Sequence, residues 1–257
     1  MFKISLYLFL LIGVFALNSC RSTKDITYLS DMVHDAIEDN LPSDAPSNLL
    51  KKGNNLYVNI QSTNEEVSKI FNPSSSMQSG GMQVYGEPSG QYIYGYTIDK
   101  DGSITLPILG QIEVAGMTQS DAQAKVQLIA NKYIKEASVK LKLLNFKVTF
   151  LGEVKAPGVI YNYNEELNVF EAAGMAGGFT DMARLDRVLV MRKTSKGMQS
   201  YRLDLTDKNV LSNVGYYLQP NDVVIADPSK VKTLQLNMPA ISLMLSTITF
   251  LLVILKL

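Results

Sequence analysis

Apolar and polar positions change period several times along the chain, and each change marks an element or a boundary. An apolar run from Ile4 to Leu17 follows Lys3 and gives way to Asn18-Ser19-Cys20. A basic start, a short apolar core and a small residue before the break form a secretory signal over residues 1–19. The run falls short of the ~20 residues that a membrane span needs. Polar residues then dominate to about Asn48, with Pro42 and Pro46 among Ser, Asp and Asn. That composition predicts a tether with one short helix around Asp31 to Asp39. Leu56-Tyr57-Val58-Asn59-Ile60 alternates as a half-buried strand does. A stretch rich in Ser, Gly and Gln, 72–95, then erases the period and predicts a long loop of the functional or mobile kind.

Strand signals return between Tyr96 and Val114, with Asp101-Gly102 as a tight turn. Thr118 followed by Asp121 is a capping-box variant and opens a helix to about Lys135. Its apolar positions Ala122, Val126, Ile129, Ala130 and Tyr133 form one stripe, expected to pack on the preceding sheet. A second unit is expected from Ser138: VKLKLLNF and KVTFLGEV as strands, Lys155 to Gly158 as a turn, and a helix from Leu167 to Met175 stopped by Gly177-Gly178. A strand from Arg187 to Arg192 and the segment YYLQPNDVVIA, Tyr216 to Ala226, complete it. The order is that of an α+β fold with a small β-grasp. LQPNDVVI is a weak repeat of LKKGNNLYVNI near Leu50.

After Lys232 no charge occurs until Lys256, and Ala240 to Leu255 is apolar apart from Ser242, Ser246, Thr247 and Thr249. As a helix this run would be about 24 Å long, close to the ~25 Å apolar band of outer-membrane proteins. A transmembrane helix is therefore expected over 238–257, with Pro239 in its first turn. Ser242, Ser246 and Thr249 fall at i, i+4 and i+7. In a ring of such helices they would face a pore or a neighbour; alternatively they bond back to their own helix carbonyls.

Composition narrows the chemistry. Lys+Arg and Asp+Glu number 24 each, with 46% hydrophobic residues and one His. Zero net charge without a basic stripe argues against nucleic-acid binding. A single Cys forbids an internal disulfide, and one Cys with one His cannot build a zinc cage. A nucleophilic triad or dyad would have to use His34, in a polar stretch. Asp99-Lys100-Asp101-Gly102 lacks the further acidic ligands of a calcium loop. Gly-rich LGEVKAPG lacks the Lys-Ser/Thr of a phosphate cradle. Glu153 has no second acid near it in sequence, so a glycosidase pair is unsupported. No catalytic residue, metal or cofactor is expected. The Cys itself is informative: LNSC resembles a bacterial lipobox, which makes Cys20 the lipid attachment point, its sulfur carrying a diacylglyceryl thioether and acyl chains such as palmitate holding the mature protein to a membrane.

LKKGNNLYVNI, DKDGSITLPILGQIEVAGMT, NFKVTFLGEVKAPGVI, AGGFT (Ala176 to Thr180) and YYLQPNDVVIA occur in an order and spacing that resembles the polysaccharide export outer-membrane lipoproteins, a family that includes capsule export channels. The resemblance implies a lipidated tether over 20–48, a polysaccharide export domain over 49–145, one SLBB-like β-grasp domain over 146–232 and the C-terminal helix. It implies a homo-oligomeric, porin-like ring, of eight copies, that conducts a finished capsular or exopolysaccharide across the bacterial outer membrane from a body in the periplasm. Its partner would be an inner-membrane polysaccharide co-polymerase coupled to a tyrosine kinase. The motif residues Asp101, Gly102, Pro107, Gly110, Gly116, Gly152, Glu153, Pro157, Gly158, Gly177 and Gly178 are read as scaffold, holding turns, strand ends and close packing. One departure stands out: an Asp usually follows the Gly of the first motif, whereas Gly53 is followed by Asn54-Asn55, which puts a local turn contact at issue. The competing reading is a glycan- or partner-binding adaptor lipoprotein whose helix is a plain anchor; a periplasmic glycan-cleaving enzyme would need the missing acid pair.

Overall fold

The computed structural model describes residues 27–32, 47–72, 94–232, 242–248 and 250. The expected signal sequence, Cys20, His34, Thr249, nearly all of the 72–95 loop and much of the C-terminal run lie outside the described residues.

The first unit is built on a three-stranded antiparallel sheet in the order β2-β1-β5, with β1 at Asn55–Gln61, β2 at Tyr96–Thr97 and β5 at Ser138–Leu143. The alternation read in the sequence places Leu56, Val58 and Ile60 in the core. Ser138–Leu143 therefore belongs to the first sheet and does not begin the second unit. A separate hairpin, β3 (Ser103–Leu106) and β4 (Gly110–Glu113), closes the core with Ile104, Leu106 and Ile112. A short helix, α1 (Glu65–Phe71), is capped by the Asn64 side chain.

Helix α2 (Gln119–Ala130) starts at the expected cap, Thr118, whose hydroxyl accepts the Asp121 N–H at 3.1 Å. Ala122, Val126 and Ala130 are fully buried. The helix ends before Lys135: Tyr133 is turned out, 59% exposed, and Ile134 is buried instead. It also runs beside β5, the strand that follows it. Gln119, Gln123 and Gln127 lie one helical turn apart, and their Oε1 atoms accept the N–H groups of Leu143, Leu141 and Val139 at 3.0, 3.1 and 2.8 Å. Four helical residues rise about 6 Å and two strand residues about 6.8 Å, so the two periods nearly match. The glutamine row satisfies outward donors of an edge strand that would otherwise invite foreign pairing.

The second unit is a five-stranded mixed sheet, β7-β6-β10-β8-β9, with β6 at Lys147–Gly152, β7 at Gly158–Tyr161, β8 at Val188–Thr194, β9 at Gly197–Leu203 and β10 at Val223–Ala226. Only β6 and β10 run parallel. Helix α3 (Val169–Met175) opens with a full capping box between Asn168 and Glu171 and buries Val169, Ala172 and Ala173 in a core with Phe146, Phe150, Leu203 and Leu218. Burying each large apolar side chain of this kind stabilises by about 1.5–3 kcal/mol.

Two segments expected to stand apart from the body bear on the site. Residues 27–32, within the polar tether, are docked on the second unit: Leu29 and Ser30 donate N–H bonds to the Leu205 and Thr206 carbonyls at 3.0 and 2.8 Å, and Tyr28 meets Phe170 edge to face at 5.8 Å. At the other end, residues 242–248 are helical and exposed. Among the described residues no helix is long and apolar enough to cross a membrane.

Candidate functional site

The weak sequence repeat is a structural repeat. Leu50 and Leu218 are both buried. Three residues on, Gly53 and Asn221 occupy the left-handed region at φ 83° and 71°, which Gly enters without cost and Asn more readily than most residues. In the first turn the Lys51 N–H donates to Asn54 Oδ1 at 2.7 Å, and in the second the Gln219 N–H donates to Asp222 Oδ2 at 2.8 Å. The return bonds match too: Asn54 N–H to the Lys51 carbonyl at 2.9 Å and Asp222 N–H to the Gln219 carbonyl at 3.1 Å. The contact put at issue by the missing Asp is thus made by an amide oxygen.

Each unit contributes one of these turns to a common cleft of about 830 Å³. Asn145, on the link between β5 and β6, holds the first turn in place: its Oδ1 accepts the Asn55 N–H at 3.0 Å and its Nδ2 donates to the Gly53 carbonyl at 3.1 Å. The units are joined again at Glu165, which accepts Gln119 Nε2 at 2.8 Å, pairs with Lys142 at 3.4 Å, and whose carbonyl accepts Asn48 Nδ2 at 3.0 Å. The third wall is the end of the β8 to β9 hairpin, with Lys193. Lys193 follows Arg192, whose Nε and Nη2 bond Asp222 at 3.0 and 2.7 Å, with both side chains almost fully buried. The cleft therefore presents Lys51, Lys52 and Lys193 beside Gln219 and Asn221, and among the described residues no Asp, Glu, His or Cys lines it. Such a surface can bind and orient a ligand.

The residues singled out from the sequence lie elsewhere. Asp101 is exposed in the turn before β3, and the carboxylate that organises this turn is Asp99, accepting the N–H groups of Asp101 and Ser103 at 2.9 Å each. The Ser103 amide, first among these donors, holds the Asp99 carboxyl below the usual carboxylate range. Gly102, Pro107, Gly110 and Gly116 belong to the β3 to β4 hairpin and its flanks. LGEVKAPG and AGGFT, distant in sequence, come together: Lys155 and Ala156 donate N–H bonds to the carbonyls of Gly178 and Ala176, and Thr180 to that of Glu153. Gly177, Pro157 and Gly158 lie at this junction. Gly152 is required there, because a Cβ would stand 2.1 Å from the Ala226 carbonyl oxygen. Glu153 accepts the Thr180 hydroxyl at 2.8 Å and pairs with Lys232, at the start of the C-terminal segment. The Lys232 ammonium, more than the hydroxyl, holds its carboxyl below the usual range. Ser242 and Ser246 are exposed on the 242–248 helix, and the Ser246 and Thr247 hydroxyls donate to the carbonyls of Leu243 and Met244 at 2.9 and 2.8 Å. The cleft lysines escaped the sequence reading. The signal that could have found them is the repeat itself, since two copies of one turn are candidates to face one another across an inter-unit boundary.

The polysaccharide biosynthesis/export protein profile matches residues 42–144, and the SLBB domain profile matches 146–226. The chain is similar to the EPS I polysaccharide export outer membrane protein EpsA of Ralstonia nicotianae, 31% identical over 96 residues, which is 36% of this chain and 24% of that protein. It is similar to the protein of the same name from Ralstonia solanacearum, 30% over 87 residues, 33% of this chain and 23% of that protein. It is also similar to the exopolysaccharide production protein ExoF of Rhizobium meliloti, 29% over 87 residues, 32% of this chain and 20% of that protein. The chain covers about a quarter or less of the length of these relatives.

Proposed function

We propose that this chain, which belongs to the polysaccharide biosynthesis/export family and carries an SLBB domain behind its export domain, is a lipid-anchored outer-membrane component that passes capsular or exopolysaccharide from periplasm to cell surface as a homo-oligomeric ring. In this reading 20–48 is the lipidated segment with Cys20 as its attachment point, 49–145 the export domain, 146–232 the SLBB domain and 238–257 the membrane helix. The glycine and proline motif residues act as scaffold. Transport needs no cofactor, and an inner-membrane co-polymerase with its kinase would deliver the polymer.

The observation that carries this reading is that both ends of the described body leave from the same unit. Residues 27–32 are docked beside Leu205 and Thr206, and Lys232 is tied to Glu153. Thr27 lies seven positions after Cys20, a reach of at most about 25 Å. A lipid on Cys20 and a helix beyond residue 238 would then both hold the SLBB unit against the membrane, with the export unit further into the periplasm. Removing the gene should abolish surface polysaccharide, and electron microscopy of the detergent-extracted protein should show rings. A monomer in detergent together with normal surface polymer would overturn the reading.

One observation favours the adaptor alternative with a plain anchor helix: Ser246 and Thr247 spend their hydroxyls on their own helix. Replacing Ser242, Ser246 and Thr249 together with Leu separates the two. Export should fail if the stripe faces a pore and persist if the helix only anchors.

A further inference from the structure

The cleft between the units is built from three separate turns, two of which bring positive charge together in a chain with no net charge. Lys51 and Lys52 sit in the first turn of the repeat, pinned beneath by buried Leu50 and by the Asn54 and Asn145 amides. Lys193 stands at the hairpin end, one residue from the buried guanidinium that fixes β8 to β10. All three are exposed, and among the described residues none of them has an ion-pair partner. A cleft lined by one sign of charge focuses its field on an incoming ligand of the opposite sign. The neighbouring Gln219 and Asn221 side chains add neutral donors and acceptors of the kind that match hydroxyl groups.

We propose that this cleft binds an acidic stretch of the exported glycan, the three lysines meeting its acid groups and the amides its hydroxyls. The assignment to a saccharide rests on the export reading above; the assignment to an acidic one rests on the lysines, with no carboxylate lining the cleft among the described residues. Lysine is a hydrated point charge that demands no fixed bidentate geometry. Contacts of that kind suit a polymer that must move on after binding. Binding should therefore be weak and should decline with salt, as the screening length falls from roughly 8 Å at physiological ionic strength to about 3 Å at 1 M.

The test uses the full chain in detergent. Fluorescently labelled oligogalacturonate and a sulfated glucan of the same length are titrated beside a neutral glucan and poly-L-glutamate. Wild-type protein should bind at least one acidic saccharide more tightly than the neutral glucan. The combined variant Lys51→Gln, Lys52→Gln, Lys193→Gln should weaken this about tenfold, a loss of the size that three exposed charge contacts carry. The matching Lys→Arg variant should retain it. A charge-matched control, Lys69→Gln, Lys132→Gln, Lys135→Gln, should leave it unchanged, and melting curves should show all variants folded. Equal binding of neutral and acidic glucans, unchanged binding by the cleft variant, or loss of binding by the control variant as well would overturn the proposal. Binding of poly-L-glutamate as tight as that of the acidic saccharides would overturn the saccharide assignment. Export is scored separately: if gene removal abolishes surface polymer while the cleft variant neither binds less nor exports less, the export reading stands and this inference falls.

Discussion

The turns at Leu50 to Asn55 and Leu218 to Val223 meet one backbone demand with two different chemistries. Both place a left-handed residue after a buried Leu and close on a side-chain oxygen one residue later. In the first, that oxygen belongs to the neutral amide of Asn54, and the charges of the turn, Lys51 and Lys52, stand outside. In the second it belongs to Asp222, which is fully buried and claimed by Arg192 through three contacts of 3.0, 3.1 and 2.7 Å. A buried carboxylate needs a cation beside it, and the same guanidinium also donates to the Tyr217 carbonyl at 2.9 Å. The second turn consumes its charge internally and stiffens the SLBB sheet. The first keeps its charge available. The first turn thus leaves an exposed lysine pair to the cleft, while the ion pair at the second stays in the interior, because the capping atom differs.

The sharpest way to break this contrast is Asp222→Asn, which gives the second turn the chemistry of the first. It leaves a buried guanidinium without its counter-charge, and unfolding of the full chain in denaturant should show a loss of about 3–5 kcal/mol. Replacing both partners, Arg192→Met with Asp222→Leu, should cost far less than either single change, because no charge is then stranded. If Asp222→Asn is nearly neutral, the two turns are equivalent and the contrast fails. Next in size is the left-handed position. Gly53→Ala should cost about 1–2 kcal/mol from backbone strain alone, whereas Asn221→Gly should stay within about 0.5 kcal/mol.

The smallest effect concerns the other tie inside the SLBB unit. Glu153 is held below the ordinary carboxylate range chiefly by Lys232. Its contribution is therefore complete above an unfolded value of about 4.3 and is lost as pH falls through the lower folded value. Lys232 is 40% exposed, so solvent screening limits the tie to below about 1 kcal/mol. Stability followed from neutral to acid pH should decline less steeply in Glu153→Gln than in wild type. Identical slopes would mean that this tie, unlike the Arg192 pair, does not contribute.

Much of the local structure was legible in residues close together. Strand β1 announced itself by period two, α2 by Thr118, and the turn before β3 by Asp101-Gly102, although the carboxylate that closes it is that of Asp99. The repeat of LKKGNN in LQPND was visible, and its meaning was not. What escaped the sequence involves partners far apart along the chain. Gln119, Gln123 and Gln127 on α2, which no local pattern singled out, pair with the edge of β5 because helix and strand periods nearly coincide. The ladder with β1 is what puts β5 in the first unit. Arg192 ends a strand in the sequence, and only the fold brings its guanidinium onto Asp222, 30 residues further along the chain. Residues 27–32 carry the composition of a tether and are nevertheless docked 176 residues away, with Ser30 on Thr206.

Residue pattern alone sufficed for the turn at Asp101-Gly102, the start of α2 at Thr118 and the apolar face of β1, because each follows from covalent geometry or from a spacing of a few residues; α1, capped by Asn64, was not read from it, and the order of the two domains came from the family resemblance. Only the tertiary structure decided which turns face each other, which charges are buried in pairs and which are left to the cleft. Those outcomes depend on the desolvation of one group by another brought from elsewhere in the chain, and local composition does not encode that distance.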